Sequence, residues 1–147
     1  MRHLFQYLLG GSVLLSGCGP DIDAKREQWE AKAPGSYVVS TCGTGFNLSA
    51  CSLYAVEDGR VLAVEQRIFP DGDWVPLPGA AEPIASLFDA ADNPGDCDLS
   101  IDFDAAYSYP TELYFDCGEE GDGERVACFV PDSVDLEACR SATTWEP

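Results

Sequence analysis

Histidine is almost missing from this chain: its 147 residues include one, His3. That residue stands in an N-terminal stretch that reads as a cleaved leader, so the mature protein is expected to have none. The commonest general base and the commonest metal ligand go with it. Neither a Ser-His-Asp nor a Cys-His nucleophile can be assembled from what remains. Basic residues are also scarce, with eight Lys and Arg against 26 Asp and Glu and a formal net charge of −18. A surface of that sign repels phosphate backbones and anionic headgroups, which excludes nucleic-acid binding. The cysteines show no CxxC spacing, so the sequence offers no zinc-ribbon pattern. Finally, no apolar run reaches the roughly 20 residues that a membrane-spanning helix requires.

One apolar run is nevertheless present. Arg2 and His3 precede Leu4 to Leu15, about a dozen residues with the length of a signal-peptide core. Leu15-Ser16-Gly17-Cys18 follows, and it looks like a lipobox: an aliphatic residue, two small ones, then the cysteine that takes the lipid. Residues 1–17 are therefore read as a lipoprotein signal peptide, and Cys18 as the acylated new N-terminus. Each buried CH₂ is worth about 0.8 kcal/mol, and stable anchoring takes more than one chain, which lipoprotein maturation supplies. Loss of Arg2 leaves seven basic residues against 26 acidic ones, a mature charge of −19. Gly19, rather than Asp, after the cysteine points to the outer membrane where the host has two membranes.

Six cysteines remain: Cys42, Cys51, Cys97, Cys117, Cys128 and Cys139. An even number in an exported domain reads as disulfides, because the compartment is oxidising. Six cysteines allow 15 pairings. The economical choice joins sequence neighbours, Cys42–Cys51, Cys97–Cys117 and Cys128–Cys139, each contributing roughly 2–4 kcal/mol.

The expected organisation is a tether and the start of a first helix over residues 18–28, one domain over 29–140, and a tail over 141–147. Asp21 or Asp23 can cap the first helix, and Pro34-Gly35 ends it. Ser36–Cys42, Cys51–Glu57 and Arg60–Gln66 read as strands, the last two joined by a tight Asp58-Gly59 turn. Residues 69–80 carry three prolines and two glycines and read as an irregular loop. Pro83 then opens a helix whose Ile84, Leu87, Phe88 and Ala91 form one apolar stripe. Leu99, Ile101 and Phe103 alternate with polar residues, as do Leu113 and Phe115, and a last strand runs through Val126, Cys128 and Val130. The order predicts an α+β domain: an antiparallel β-sheet with two helices packed on one face, stapled by disulfides.

Several motifs occur in a set order: Trp29, Ser36-Tyr37-Val38-Val39, Asp58-Gly59-Arg60-Val61, Leu87-Phe88-Asp89 and Ile101-Asp102-Phe103-Asp104. They continue with Tyr107-Ser108-Tyr109-Pro110-Thr111 and Leu113-Tyr114-Phe115-Asp116. In this order and spacing, over roughly residues 29–130, the chain resembles the bacterial lipoprotein family of the domain of unknown function 6174. The resemblance implies an envelope location and a compact α+β domain, and it carries no known activity or catalytic residue. The family usually has Gly where Ser108 stands, so a positive φ there would strain Ser108.

Two acidic groups could offer hard oxygens to calcium: Asp89, Asp92, Asp96 and Asp98 around a Pro-Gly turn, and Glu119, Glu120, Asp122 and Glu124 in a Gly-punctuated loop. Neither has EF-hand spacing, and solvated acidic loops are the simpler reading. Residues 105–110 join two strands and carry Tyr107, Tyr109 and Pro110, a candidate binding loop; the preferred reading is that these tyrosines fold over the sheet edge and complete the core. Carboxylate-pair hydrolysis remains formally open, but no pair stands out. The expectation is a non-enzymatic, lipid-anchored binding or envelope-accessory module. It would be a monomer without cofactor, held to a membrane and serving an unidentified envelope protein partner. The alternatives are an acidic calcium-binding lipoprotein and a carboxylate hydrolase.

Overall fold

The computed structural model describes residues 19–45, 50–68 and 72–143. The expected signal peptide, Cys18 and the last four residues of the expected tail lie outside these. Among the described residues the elements are α1 (Ile22–Lys32), β1 (Ser36–Gly45), β2 (Ala50–Glu57), β3 (Arg60–Ile68), β4 (Val75–Pro76) and α2 (Pro83–Asp92). They continue with β5 (Asp98–Phe103), β6 (Pro110–Asp116), β7 (Gly121–Pro131) and α3 (Glu137–Arg140).

The strands form a seven-stranded sheet in the order β4-β3-β2-β1-β7-β6-β5, and every pairing is antiparallel. Two meanders, β1 to β4 and β5 to β7, meet where β1 pairs with β7. The predicted α+β class with an antiparallel sheet and disulfides is what the structure shows. Asp58 (φ 50°) and Gly59 (φ 71°) make the expected two-residue turn, because two successive positive φ values match the strand twist.

Each of the two long helices starts where its cap dictates. The Asp21 side chain accepts from the Ala24 N–H at 3.0 Å, and Glu82 accepts from Ile84 at 3.1 Å and Ala85 at 2.6 Å. Pro83 fills the first position of α2, where no intrahelical N–H is needed. The α2 stripe Ile84, Leu87, Phe88 and Ala91 is buried as expected, together with Trp29 of α1, Tyr37 and Val39 of β1, Val56 and Leu113. This cluster is the main core, and both long helices share it on one face of the sheet.

The second face has its own smaller cluster. Val38, Leu53 and Cys139 are buried there, with Trp74, Cys128, Val130 and Leu136 around them. The segment after β7 folds back as α3 to cover it, tied down by the Cys128–Cys139 bridge. Thr143 is buried and its hydroxyl bonds Ser40 Oγ at 2.8 Å and the Cys139 carbonyl at 2.7 Å. The fold therefore runs past residue 140. It also starts within the expected tether, since α1 spans the boundary at residue 28.

Two expected loops are partly strand. Val75-Pro76, inside the proline-rich segment, pairs with Gln66 and Glu65, and its proline sits on an edge where no further N–H is required. At the other side β7 begins at Gly121, so Asp122 and Glu124 lie on a strand and not in a loop. Glycine is weak in strands, which hid this extension. Here it is needed: a Cβ on Gly123 would stand 2.6 Å from Thr44 Oγ1 and 2.7 Å from the Leu113 carbonyl, and one on Gly121 would meet the Tyr114 ring. Among the described residues no helix is long and apolar enough to cross a membrane.

Candidate functional site

The six cysteines pair as sequence neighbours: Cys42–Cys51 across β1 and β2, Cys97–Cys117 closing the open end of the β5–β6 hairpin, and Cys128–Cys139 joining β7 to α3. Cys42, Cys51 and Cys139 are buried. These sulfurs are structural, and each bridge fixes a local turn or lid.

The aromatic loop turns inward. Tyr109 is buried and stacks on Phe129 of β7 with centroids 4.7 Å apart, while half-buried Tyr107 meets the same ring at 5.5 Å. Trp29 of α1 contacts Tyr37, Tyr109 and Phe129 edge-on at 5.6, 5.7 and 6.0 Å. Pro110 is fully buried. The rings complete the core, the reading preferred for them, and the candidate binding loop of Tyr107, Tyr109 and Pro110 is not presented to a partner: apolar ring area is better placed against Phe129 than in water. Burial is also the first reason why the Tyr109 phenol is pushed up to about 12, with Asp104 and then Tyr107 adding to it. Asp104 accepts from the Ala106 and Tyr107 N–H groups, so the loop is held from within. Ser108 has φ 67°, a left-handed value that strains a residue other than glycine. Its buried hydroxyl donates to Gln28 Oε1 of α1 at 2.9 Å, a polar contact that glycine could not make.

The first acidic group does not converge. The Asp89 and Asp92 carboxylates bind the two guanidinium nitrogens of Arg26, at 3.1 and 2.5 Å, which ties α1 to α2. Asp96 and Asp98 are exposed beyond the helix end. In the second group Glu119 and Glu120 occupy an exposed turn off the strand, while Asp122 and Glu124 stand two positions apart on one face of β7. Among the described residues no three His, Cys, Asp or Glu side chains are grouped to hold a metal ion. One buried carboxyl stands apart from these. Glu82 takes the Tyr37 hydroxyl hydrogen bond besides its two N–H donors. Burial raises its pKa, and the backbone donors of Ala85 and Ile84 partly reverse this. It is a helix cap that locks α2 to β1.

The surface feature that sequence reasoning missed is apolar. Leu62, Ile68, Val75 and Leu77 are all 40–55 % exposed, and all lie on β3 or on β4 and its continuation. Gln66, Ile68, Gly72, Asp73, Val75 and Leu77 line a shallow groove of about 330 Å³ at this edge of the sheet. The Gln66↔Val75 pairing and the Leu77 N–H to Val64 carbonyl bond at 3.0 Å hold the aliphatic side chains of Val75 and Leu77 beside β3. Pro76 and Pro78 stop the edge from extending. The only hint in the sequence was Val-Pro-Leu-Pro inside a segment with the composition of a plain loop.

Compared with known proteins, the chain matches no family model and no curated protein.

Proposed function

We propose that this protein is a lipid-anchored component of a bacterial cell envelope that binds another envelope protein and performs no catalysis. The observation that carries this reading is the odd cysteine: six pair among themselves, and the seventh, Cys18, follows Leu15-Ser16-Gly17 at the end of an apolar run. Disulfides suit an oxidising compartment. The resemblance of the ordered motifs to the domain of unknown function 6174 lipoproteins supports the same location, and Gly19 favours an outer membrane where there is one. The chain works as a monomer, since mature copies with seven basic against 26 acidic residues, charged at −19, repel one another.

The partner chemistry is a segment with aliphatic side chains and no negative charge. The groove lies beside a proline-blocked edge and takes aliphatic side chains, not an added strand, and an acidic segment would be repelled by this chain. Mass spectrometry of the membrane fraction is expected to find Cys18 as the acylated N-terminus, with Cys18→Ala released from the membrane. Full-length protein in the cytosol, with residues 1–17 attached and six free thiols, overturns the reading. Capture from solubilised envelopes should enrich a partner segment with the parent and lose it with Val75→Asp. Enrichment unchanged by that substitution overturns the assignment to the groove.

A further inference from the structure

The anchor and the groove occupy opposite corners of the sheet, and this fixes how the domain stands on its membrane. Strand ends define two ends of the molecule. Ser36, the Asp58-Gly59 turn, residues 104–109 and Asp132 share one end, as the bonds from Asp58 N–H to the Gly35 carbonyl (2.7 Å) and from Asp132 N–H to the Ser36 carbonyl (2.9 Å) show. α1 crosses this end. Its first turns lie at the β5 side, where the Lys25 ammonium sits 5.6 Å from the Phe103 ring centre and Arg26 holds Asp89 and Asp92. Ile68, Val75 and the groove lie at the other end, on the β3–β4 side. Six strand spacings of about 4.8 Å separate β5 from β4, so the two corners are roughly 30 Å apart or more.

The tether is very short. Asp21 already caps α1, so four residue steps join Cys18 to Ile22. Fully extended they span at most about 14 Å. We infer that the α1 N-terminal corner is the membrane-facing surface of this protein, and that the apolar groove at the opposite corner is turned away from the bilayer toward soluble or projecting partners. This rests on acylation of Cys18.

The membrane-facing corner also selects the lipid it fits. Asp21, Asp23, Asp89 and Asp92 are exposed there against two cations, Arg26, already engaged by two of them, and Lys25, which lies over the Phe103 ring, so the corner stays net negative. The Debye length is about 8 Å at physiological ionic strength and about 30 Å at 0.01 M. A corner held within about 14 Å of the surface is therefore mostly screened in the first case and fully exposed to headgroup charge in the second. It lies against a surface of neutral headgroups and is pushed to the full tether length by an anionic one at low salt.

The test uses mature, acylated full-length protein in phosphatidylcholine vesicles carrying an acceptor-labelled lipid, with a fluorescent amino acid at position 23 or at position 75. Energy transfer from position 23 is expected to be several-fold stronger than from position 75. Replacing part of the lipid with phosphatidylglycerol should weaken the position-23 signal at low salt, and added salt should restore it. Equal transfer from vesicle-bound protein, or stronger transfer from position 75, overturns the orientation while leaving the anchor intact. A position-23 signal indifferent to lipid charge at low salt overturns the selection of neutral headgroups. Protein that carries no lipid and does not float with the vesicles removes the anchor and the orientation together.

Discussion

The two halves of the sheet are held by different means. Over β1, β7, β6 and β5 the helices α1 and α2 bury Trp29, Ile84, Leu87, Phe88 and Leu113 in a continuous core. Over β2, β3 and β4 the same face thins out, and Ile68, Val75 and Leu77 stay in water. The reason is width. Crossing the strands from Phe103 of β5 to Tyr37 of β1, the 11 residues of α1 reach about 17 Å, and seven strands at about 4.8 Å spacing span roughly 29 Å. The outer strands are instead secured by the buried Cys42–Cys51 bridge and by the ion pair of Arg140 with Glu65 at 2.7 Å. A sheet wider than its helical cover leaves an apolar margin, and here that margin is the groove.

The sharpest contrast comes from truncating one side chain in each half. Phe88→Ala, in the covered half, should cost about 3–5 kcal/mol through lost burial and a cavity. Val75→Ala at the margin should change stability by less than about 0.5 kcal/mol. Urea unfolding under oxidising conditions measures both. Similar losses would mean that the margin is part of the core.

On the second face, Cys128→Ala with Cys139→Ala should cost about 2–4 kcal/mol and free α3. Hydrogen exchange at Leu136 to Thr143 should then rise to solvent rates while α2 stays protected. If α2 opens as well, the two faces do not unfold independently.

A smaller effect separates strain from bonding at Ser108. A non-glycine residue at positive φ costs roughly 1–2 kcal/mol, and the hydroxyl bond to Gln28 offsets about 0.5–1.5 kcal/mol of that. Ser108→Ala keeps the strain and loses the bond, so it should destabilise by about 1 kcal/mol. Ser108→Gly loses both and should fall within about 1 kcal/mol of the parent. Thermal melts at one pH rank the three.

The smallest effect belongs to Glu82. Its pKa is raised in the folded state, so the native protein holds this proton more tightly than the unfolded chain does. The stability from this group is present below the ordinary carboxyl range and is lost as pH rises through the folded value. Glu82→Gln keeps a cap acceptor and removes the titration. Between pH 4 and 7 the variant should therefore lose less stability with rising pH than the parent, measured by urea midpoints. Parallel curves would contradict the burial of that carboxyl.

Much of this architecture was legible from local pattern. The stripe on α2, the alternation along β5, and Asp58-Gly59 each report a neighbour within a few residues, and local chemistry sets them. The start of β7 was not legible, because Gly121 and Gly123 look like loop residues until Tyr114 is seen lying over them. α3 is four residues long and takes its place from a bridge and from Thr143, 103 positions away from Ser40. The groove was hidden for a related reason: whether Val75 and Leu77 are covered depends on the β1–β7 pairing, which decides which strands end up beneath the helices. Tyr107 and Tyr109 were ambiguous in sequence because the same ring suits an interface or a core, and only the position of Phe129 decides.

The bridges link residues 9, 20 and 11 positions apart, and each cysteine joins the next one along the chain. A polypeptide threaded through an export channel from its N-terminus delivers its thiols in that same order. With export and acylation of Cys18 as proposed, an oxidase that joins each newly arrived thiol to the one before it would produce the native set, so this protein should reach its oxidised form in cells without a disulfide isomerase.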